Sequence, residues 1–288
     1  MKPARFEYSR PLNLADALDL LARHGTDASI LAGGQSLMPM LNLRMSQPAI
    51  LIDINAIAGL DAIERRGDRI VIGGRARHND VLHSPLLAET NSLLLRAMPF
   101  VAHAAIRNRG TLGGSLALAD PAAEMPVCAV AVDADIVAVS VRGERLIPAS
   151  DFFHGLYSTA LEPDELIHRI SYPVRDASWR VEFDEVSRRH GDFALAALAL
   201  CVKVEGDLIA DCRIVFGGIE DHPRRVTDAE NALIGFPLAD ARARAAAGDS
   251  LDQTLSPLEG GEYSPAYRLQ LARSLLNRML ARISEGQA

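Results

Sequence analysis

Apolar residues recur along the chain with two different periods, which predict helices in some segments and strands in others. A helical period opens the chain, with Asn13 placed as an N-cap and Gly25 placed to end the helix. The apolar face of this predicted helix comprises Leu14, Ala17, Leu18 and Leu21. The first long element is therefore predicted to be an amphipathic helix.

Short apolar runs that stop at glycine, proline or charged residues predict strands through the first two thirds of the chain. These runs cover residues 29–32, 49–53, 69–73, 135–141 and 165–172. Helical spacing recurs at residues 79–87 and 92–105, and Pro99 is expected to kink the second of these helices. Helices and strands are thus mixed along this part of the chain.

The charged segment 175–180 is interpreted as a boundary, because a new series of strands is predicted after it. These strands start at residue 181 and continue through 193–204 and 208–216. A helix is predicted from Pro265 onward, and its apolar face comprises Ala272, Leu275, Leu276, Met279 and Ile283. This order of elements predicts an α+β protein rather than a doubly wound sheet.

Two glycine loops carry the candidate chemistry, ASILAGGQS at residues 28–36 and GTLGGS at residues 110–115. Glycine lets backbone N–H groups approach a ligand closely, so the loops are candidates to hold a diphosphate. No lysine or arginine lies between residues 28 and 43, and Arg44 is the nearest fixed charge in the sequence. Each loop taken alone could equally be a tight turn, and the third pair, Gly73 and Gly74, is interpreted as an ordinary turn.

Neither loop matches a common nucleotide-binding motif. The pattern GxxxxGK[ST] is missing, and no GxGxxG follows a predicted strand, which argues against a P-loop and a Rossmann unit. Two acids follow the second loop, and they would accept hydrogen bonds from sugar-like hydroxyl groups rather than face phosphate. Asp120 is interpreted first as the N-cap of a helix that runs from Met125 to Val132, and Glu124 is the better ligand candidate.

The motifs AGGQSLMPMLNLR, TLGGSLALADPAAE and RRHGDFALA together resemble the flavoprotein medium subunit of molybdenum hydroxylases. This family includes carbon monoxide dehydrogenase and the FAD domain of xanthine dehydrogenase. The resemblance implies a two-subdomain FAD-binding fold of the vanillyl-alcohol-oxidase or p-cresol-methylhydroxylase type, followed by a C-terminal domain of sheet plus helices. It also implies an N-terminal subdomain at 1–56, a central FAD-binding subdomain at 57–175 and a C-terminal domain at 176–288.

The resemblance assigns FAD-binding roles to residues of both loops and to two positions beyond them. The implied cofactor-binding residues are Ala32, Gly33, Gly34, Gln35, Ser36, Leu37, Thr111, Gly113, Gly114, Ser115, Glu124 and Ile167. Glu124 would face the polyol side of the flavin, and Ile167 would pack on the isoalloxazine ring or be an ordinary core residue of a strand. No histidine or cysteine lies within either loop, so FAD is expected to be bound without a covalent link.

The implied function is that of an electron-transfer subunit, an oxidoreductase with no catalytic residue of its own for substrate hydroxylation. A large molybdopterin subunit and a small subunit with 2Fe-2S clusters are the expected partners, assembled as a dimer of heterotrimers. Electrons would pass from the iron–sulfur subunit through FAD to an external acceptor such as a quinone or NAD. Some relatives that reduce NAD have a lysine in the segment aligned with 183–186, where this chain has Asp184 and Glu185. The alternatives are a self-contained FAD-dependent oxidase or dehydrogenase that acts on a small organic substrate, and a non-catalytic nucleotide-binding or scaffold protein.

Composition agrees with this interpretation and excludes other classes. The 288 residues are 49% hydrophobic and carry a net charge of −7, which argues against a nucleic-acid surface. The first residues have no signal-peptide pattern and no apolar run reaches about 20 residues, so a cytoplasmic protein without a membrane span is expected. The three cysteines are scattered and no histidine motif occurs, so no metal site is expected in this chain.

Overall fold

The computed structural model describes residues 2–90, 92–259 and 263–286. Its N-terminal unit is a parallel three-stranded sheet of order β1-β3-β2. The elements of this unit are β1 (Glu7–Ser9), α1 (Leu14–His24), β2 (Ala28–Leu31), α2 (Leu37–Asn42) and β3 (Ile50–Asp53). As predicted, Asn13 caps α1, and its side chain accepts a hydrogen bond from the Asp16 backbone N–H.

The central unit contains a five-stranded antiparallel sheet of order β4-β5-β10-β6-β7 and a two-stranded hairpin. Its strands are β4 (Ile63–Arg66), β5 (Arg69–Gly73), β6 (Asp135–Ser140), β7 (Gly143–Pro148), β8 (Phe153–Gly155), β9 (Ser158–Thr159) and β10 (Leu166–Pro173). Its helices are α3 (His78–Leu82), α4 (Pro85–Glu89), α5 (Leu93–Ala97), α6 (Ala104–Arg107), α7 (Leu112–Leu118) and α8 (Glu124–Ala131).

Two helices predicted in the central unit are interrupted. The predicted helix 79–87 is divided into α3 and α4, because the Ser84 side chain accepts from the Leu87 N–H and starts a new helix at Pro85. The predicted helix 92–105 is also divided, since a 3₁₀ turn, Met98–Phe100, contains Pro99 and separates α5 from α6.

The C-terminal unit is an antiparallel sheet of order β11-β12-β13-β14 with helices after it. Its elements are β11 (Trp179–Val186), β12 (Ala196–Glu205), β13 (Leu208–Gly217), β14 (Arg224–Arg225), α9 (Thr227–Leu233), α10 (Ala241–Thr254) and α11 (Pro265–Ser284). The predicted strand 193–204 starts later than expected, at Ala196. All five residues predicted on the apolar face of the last helix are buried in α11.

Both faces of the C-terminal sheet are covered, which explains the unbroken apolar run in β12. Leu198 and Leu200 face a core formed with α9, α10 and α11. Ala199 and Cys201 face the opposite core, which contains α8 and strands of the central sheet. Helix α8 is buried along almost its whole length between the two sheets, so the central and C-terminal units share one core.

Candidate functional site

The first glycine loop leaves β2 at Leu31 and enters α2 at Leu37. The backbone N–H groups of residues 33–36 donate to no acceptor among the described residues, although Gln35 Nε2 donates to the Gly33 carbonyl over 2.9 Å. Ser36 is the N-cap of α2 without using its hydroxyl group for the cap. Four consecutive amides are therefore available to an anionic ligand.

The two glycine loops lie in direct contact. A Cβ atom placed on Gly33 would lie 2.5 Å from the Arg109 carbonyl oxygen and 2.9 Å from the Gly110 Cα. Both are backbone atoms, so no side chain could move aside to make room. The first loop therefore packs on the segment that leads into the second loop, and glycine is required at position 33.

The second loop uses its amides within the protein. Thr111 is the N-cap of α7, and its Oγ1 accepts from the Gly114 N–H over 3.1 Å. The Leu112 and Gly113 N–H groups donate to the carbonyls of Ala76 and Gly74, each over 2.9 Å. The expectation of inward-pointing amides is therefore wrong for the second loop, which offers hydroxyl groups and an exposed Gly114, and stays a prediction for the first loop.

The third glycine pair begins a turn, as predicted, because the Ala76 N–H donates to the Gly73 carbonyl over 3.0 Å, but this turn also packs closely on other backbone segments. Gly73 is the last residue of β5, and Gly74 lies between β10 and the second loop. A Cβ on Gly74 would lie 2.1 Å from the Ile167 carbonyl oxygen, and one on Gly113 would lie 2.4 Å from the Gly74 carbonyl oxygen. The pair lets three backbone segments stack. Ile167, which is 7% exposed, belongs to the buried core beside this stack.

Two polar residues that the sequence analysis did not single out hold the loops together. Asn55 Nδ2 donates to the Ala32 carbonyl over 2.9 Å. Arg77 donates one hydrogen bond to Asn55 Oδ1 and another to the Arg109 carbonyl. Arg77 thus connects the first loop to the second, whereas Arg44 instead donates to the Lys2 carbonyl.

Three arginines, Arg75, Arg77 and Arg109, lie at the junction of the loops, with Asp61 and Asp80 also acting on Arg77. Burial and the positive charges of Arg75 and Arg109 lower the pKa of Arg77, which nonetheless remains a cation because the usual pKa of arginine is above 12. Arg75 is paired with Asp61. Arginine side chains beside free amides favour a diphosphate at this junction. The first loop has no positive charge of its own, and Arg77, in the segment after β5, supplies one.

A buried histidine lies beneath the second loop. His78 is 5% exposed, and a Cβ on Gly110 would lie 2.8 Å from its Cδ2. Burial, with a smaller contribution from Arg107, lowers the pKa of His78 to about 4. Its Nδ1 has no hydrogen-bond partner within the described part of the chain. His78 is therefore neutral at neutral pH and acts as part of the floor of the loop.

The two acids after the second loop have different roles. The Asp120 side chain accepts from the Ala122 N–H over 2.9 Å, whereas the N-cap of α8 is Ala123, so the prediction that Asp120 caps this helix is wrong. Asp120 also accepts from the Tyr157 hydroxyl over 3.3 Å. Glu124 is the first residue of α8, and burial raises its pKa to about 7.

The structure brings together most of the residues assigned by resemblance. The first-loop residues 32–37 and the second-loop residues 111–115 meet through Gly33 and through Arg77. Ile167 is connected to the second loop through Gly74. Glu124 follows α7 by one short turn at the start of α8.

Other functional features of the chain would be a cavity away from the loops, a group of metal-ligating side chains or a membrane-spanning helix. A cavity of about 380 Å³ lies at the other end of α8, lined by residues that include Asp133, Ser150, His222 and Arg224, and it is remote in sequence from both loops. Among the described residues no cluster of histidine, cysteine or acidic side chains could hold a metal ion. None of the described helices has the length and apolar character to cross a membrane.

Two contacting glycine loops on an α+β framework, with no Rossmann motif, form a candidate dinucleotide site of a non-Rossmann class. The families that the sequence matches agree with this class of site. Residues 4–175 match the FAD-binding domain in molybdopterin dehydrogenase, and residues 181–283 match the CO dehydrogenase flavoprotein C-terminal domain.

Similar proteins cover almost the whole chain. The caffeine dehydrogenase subunit beta of Pseudomonas sp. (strain CBB1) is 39% identical over 291 residues, with 99% of this chain and 97% of that protein covered. The carbon monoxide dehydrogenase medium chain of Hydrogenophaga pseudoflava is 34% identical over 285 residues, covering 98% and 99%. A solved structure of carbon monoxide dehydrogenase from Hydrogenophaga pseudoflava matches with a TM-score of 0.93 and 36% identity, covering 96% of each chain.

The chain therefore belongs to the family of FAD-binding medium subunits of carbon monoxide dehydrogenase and related molybdenum hydroxylases. It is an oxidoreductase flavoprotein with FAD as its cofactor. The resemblance read from the three motifs and the predicted α+β fold class are confirmed.

Proposed function

We propose that this chain binds FAD without a covalent link and transfers electrons within a molybdenum hydroxylase of several subunits. The observation that carries the proposal is the contact between the two glycine loops, with four free amides on one side and Arg77 bridging both. This arrangement supplies donors and positive charge for a diphosphate at one place. A bound FAD would supply the capacity to take up two electrons.

The residues present fit FAD in chemical character. The amides of residues 33–36 and the hydroxyl of Ser36 would bind diphosphate oxygens, together with Thr111 and Ser115 from the second loop. Glu124 would accept hydrogen bonds from ribityl hydroxyl groups. Ala32, Leu37, Gly113 and Gly114 would form the walls of the site, and Ile167 would support the ring. Gly33 and Gly113 allow a close approach of neighbouring backbone that a Cβ atom would prevent.

We further propose the partners and the direction of electron flow. The names of two similar proteins, a subunit beta and a medium chain, describe subunits. A small 2Fe-2S subunit would deliver electrons, a large molybdopterin subunit would hydroxylate the substrate, and two such heterotrimers would form a dimer. The flavin would pass electrons to an external acceptor such as a quinone or NAD.

The test begins with the chain expressed alone. We expect the apoprotein to bind FAD with a 1:1 stoichiometry, which is measured by the quenching of flavin fluorescence. Acid precipitation of the protein should release the bound FAD. Co-expression with its partners should then give a complex that contains molybdenum and iron by metal analysis. Reduction of the isolated flavoprotein by an organic substrate, with no partner present, would instead support the self-contained oxidase.

A further inference from the structure

A buried aspartate holds the polar residues that lie behind the first glycine loop. Asp53 is the last residue of β3 and is 8% exposed. The Tyr8 hydroxyl of β1 donates to its Oδ2 over 2.5 Å, and the backbone N–H and Nδ2 of Asn55 donate to its Oδ1 over 2.9 and 2.6 Å. The Asp53 carboxylate thus joins β1 to the segment that carries Asn55.

Asp53 is ionised at neutral pH. Burial raises its pKa, but the hydrogen bonds from Tyr8 and Asn55, together with the positive charge of Arg10, outweigh burial and leave the pKa below its usual value. Arg10 Nε lies 3.9 Å from Asp53 Oδ2. A hydrogen bond to a charged acceptor is stronger than one between neutral groups, so the carboxylate holds the Asn55 side chain firmly.

The Asn55 side-chain amide fits its surroundings in one orientation. Its Nδ2 faces three acceptors, Asp53 Oδ1 and the carbonyls of Ala32 and Leu31, over 2.6, 2.9 and 3.4 Å. Its Oδ1 faces a donor, because Arg77 Nη2 donates to it. Rotating the amide by half a turn would place its oxygen against the acceptors and its nitrogen against the cation. The charge of Asp53 therefore helps to keep the donor end of this amide on the Ala32 carbonyl.

The contact with Ala32 sets the direction of the first free amide of the loop. The peptide bond between Ala32 and Gly33 is planar and trans, so its C=O and N–H groups point in opposite directions. Since the carbonyl points to Asn55, the Gly33 N–H points away from Asn55. This N–H has no acceptor among the described residues, and it is the first of the four amides that the proposed function assigns to the diphosphate.

We propose that Asp53 is a positioning residue for the diphosphate of FAD, which acts through Asn55 by holding the peptide between Ala32 and Gly33 with its N–H turned toward the ligand. The same network reaches the second loop, because Arg77 donates both to Asn55 and to the Arg109 carbonyl. The role in FAD binding rests on the proposed function, whereas the direction of the peptide is a property of this chain without a ligand.

The first test compares the affinity for FAD of two variants at position 53. Asp53→Ala removes both acceptor oxygens and should raise the Kd for FAD about tenfold, because Asn55 loses its charged partner. Asp53→Asn keeps an acceptor oxygen for Asn55 in a side chain of the same shape. It should therefore bring the Kd back to within about threefold of the wild-type value.

Asp240→Ala is the matched control. The Asp240 side chain also accepts from two backbone N–H groups, those of Arg242 and Ala243 at the start of α10 in the C-terminal unit. This variant should lose stability in urea but bind FAD as the wild type does. An equal loss of affinity in Asp240→Ala and Asp53→Ala would reflect general destabilisation and overturns the proposal. An unchanged Kd in Asp53→Ala, or no recovery in Asp53→Asn, overturns it as well.

The direction of the peptide is measured separately, by NMR on apoprotein with isotope-labelled glycine. Asn55→Asp keeps an acceptor for Arg77 but places a second carboxylate against Asp53 and the Ala32 carbonyl. It should shift the Gly33 amide resonance and leave that of Gly248, in α10, as in the wild type. Asp53→Ala should shift the same resonance.

A milder variant serves if these two fail to fold. Tyr8→Phe removes one hydrogen bond from Asp53 at a position that is 55% exposed, and it should also shift the Gly33 amide resonance. A Gly33 resonance that stays unchanged in the folded variants overturns the proposal. Wild-type protein that binds no FAD contradicts the proposed function, while the Gly33 resonance of the apoprotein still decides whether Asp53 positions the peptide.

Discussion

At the scale of single residues, the site depends on glycines whose missing side chains leave space for neighbouring backbone. Gly33 contacts the segment before the second loop, and Gly113 contacts Gly74. Such contacts cannot relax by a change of rotamer, because both partners are main chain. The distance between the two loops therefore depends on the presence of glycine at a few positions.

Gly33→Ala should weaken FAD binding. The added Cβ would lie 2.5 Å from the Arg109 carbonyl oxygen, so the two loops must move apart and the contact between them is lost. We expect the Kd for FAD to rise at least tenfold, or about 1.4 kcal/mol, measured by flavin fluorescence on apoprotein. Gly248→Ala in α10 is the control, because no atom outside the adjoining backbone of that helix lies within 4 Å of the new Cβ. Equal affinity in both variants would contradict the proposed role of the loop contact.

His78 should make the second loop sensitive to acid. Its folded-state pKa of about 4 lies below the usual 6.5. Between these two pH values the unfolded chain binds a proton at His78, whereas the folded chain does not. Stability is then complete above about pH 6.5 and is lost as pH falls toward 4, by roughly 3 kcal/mol.

The measurement for His78 is the urea midpoint between about pH 4 and pH 7. His78→Gln should flatten the acid side of this profile, whereas His83→Gln, at an exposed position of the same segment, should leave it as in the wild type. A profile that stays steep in His78→Gln would assign the acid sensitivity to another group.

The residues of the site could be predicted only where local sequence carries the signal. Glycine pairs after apolar runs are visible in the sequence, and so is Glu124 after the second loop. Asn55 and Arg77 were not predicted, because their partners Ala32 and Arg109 lie 23 and 32 residues away. The one available signal for Asn55 was its position just after a strand end, which is too common to select it.

At the scale of elements, α8 connects the cofactor-binding part of the chain to the C-terminal sheet. It packs on β12 and β13, and a Cβ on Gly217 of β13 would lie 2.4 Å from Val127 Cγ2. Since Glu124 begins this helix, the depth of α8 against the sheet sets where that acid lies.

Gly217→Ala should destabilise the protein by overpacking α8, by about 1–3 kcal/mol. Val127→Ala alone should also destabilise it, because it leaves a cavity in a buried helix. In the double variant the new methyl group occupies the space left by the Val127 side chain. The loss in free energy of unfolding should therefore be smaller than the sum of the losses in the two single variants. Denaturant midpoints of the four proteins give the coupling energy, and strict additivity would mean that the two side chains do not compete for one space.

Elements with strong periodicity were predicted well, and weak ones were missed. The bounds of α1, β5 and α11 follow caps and apolar runs that act locally. Strand β1 was not predicted, because three mostly exposed residues, Glu7–Ser9, form a strand only through pairing with β3. Tertiary pairing decides such short edge strands.

At the scale of the whole molecule, two family domains are joined by a continuous core. Val181, Phe183 and Ala199 of the C-terminal sheet belong to the same cluster as Ile72 and Ile136 of the central sheet. The N-terminal core likewise includes Val139 and Leu166 of the central unit. We propose that the chain is divided into three structural units after residues 56 and 175. This proposal does not mean that the units fold independently of one another.

This shared core predicts that the central and C-terminal units unfold together. Separating them would expose both faces of α8, whose residues 125–131 are all buried, and the apolar area lost makes a half-folded state unfavourable. Native-state hydrogen exchange should therefore give the same opening free energy for core amides of β6 and β12. The fluorescence of Trp179, the sole tryptophan, should change at the same urea concentration as the far-UV circular dichroism. Two separated transitions would show that the junction around α8 is weaker than its burial indicates.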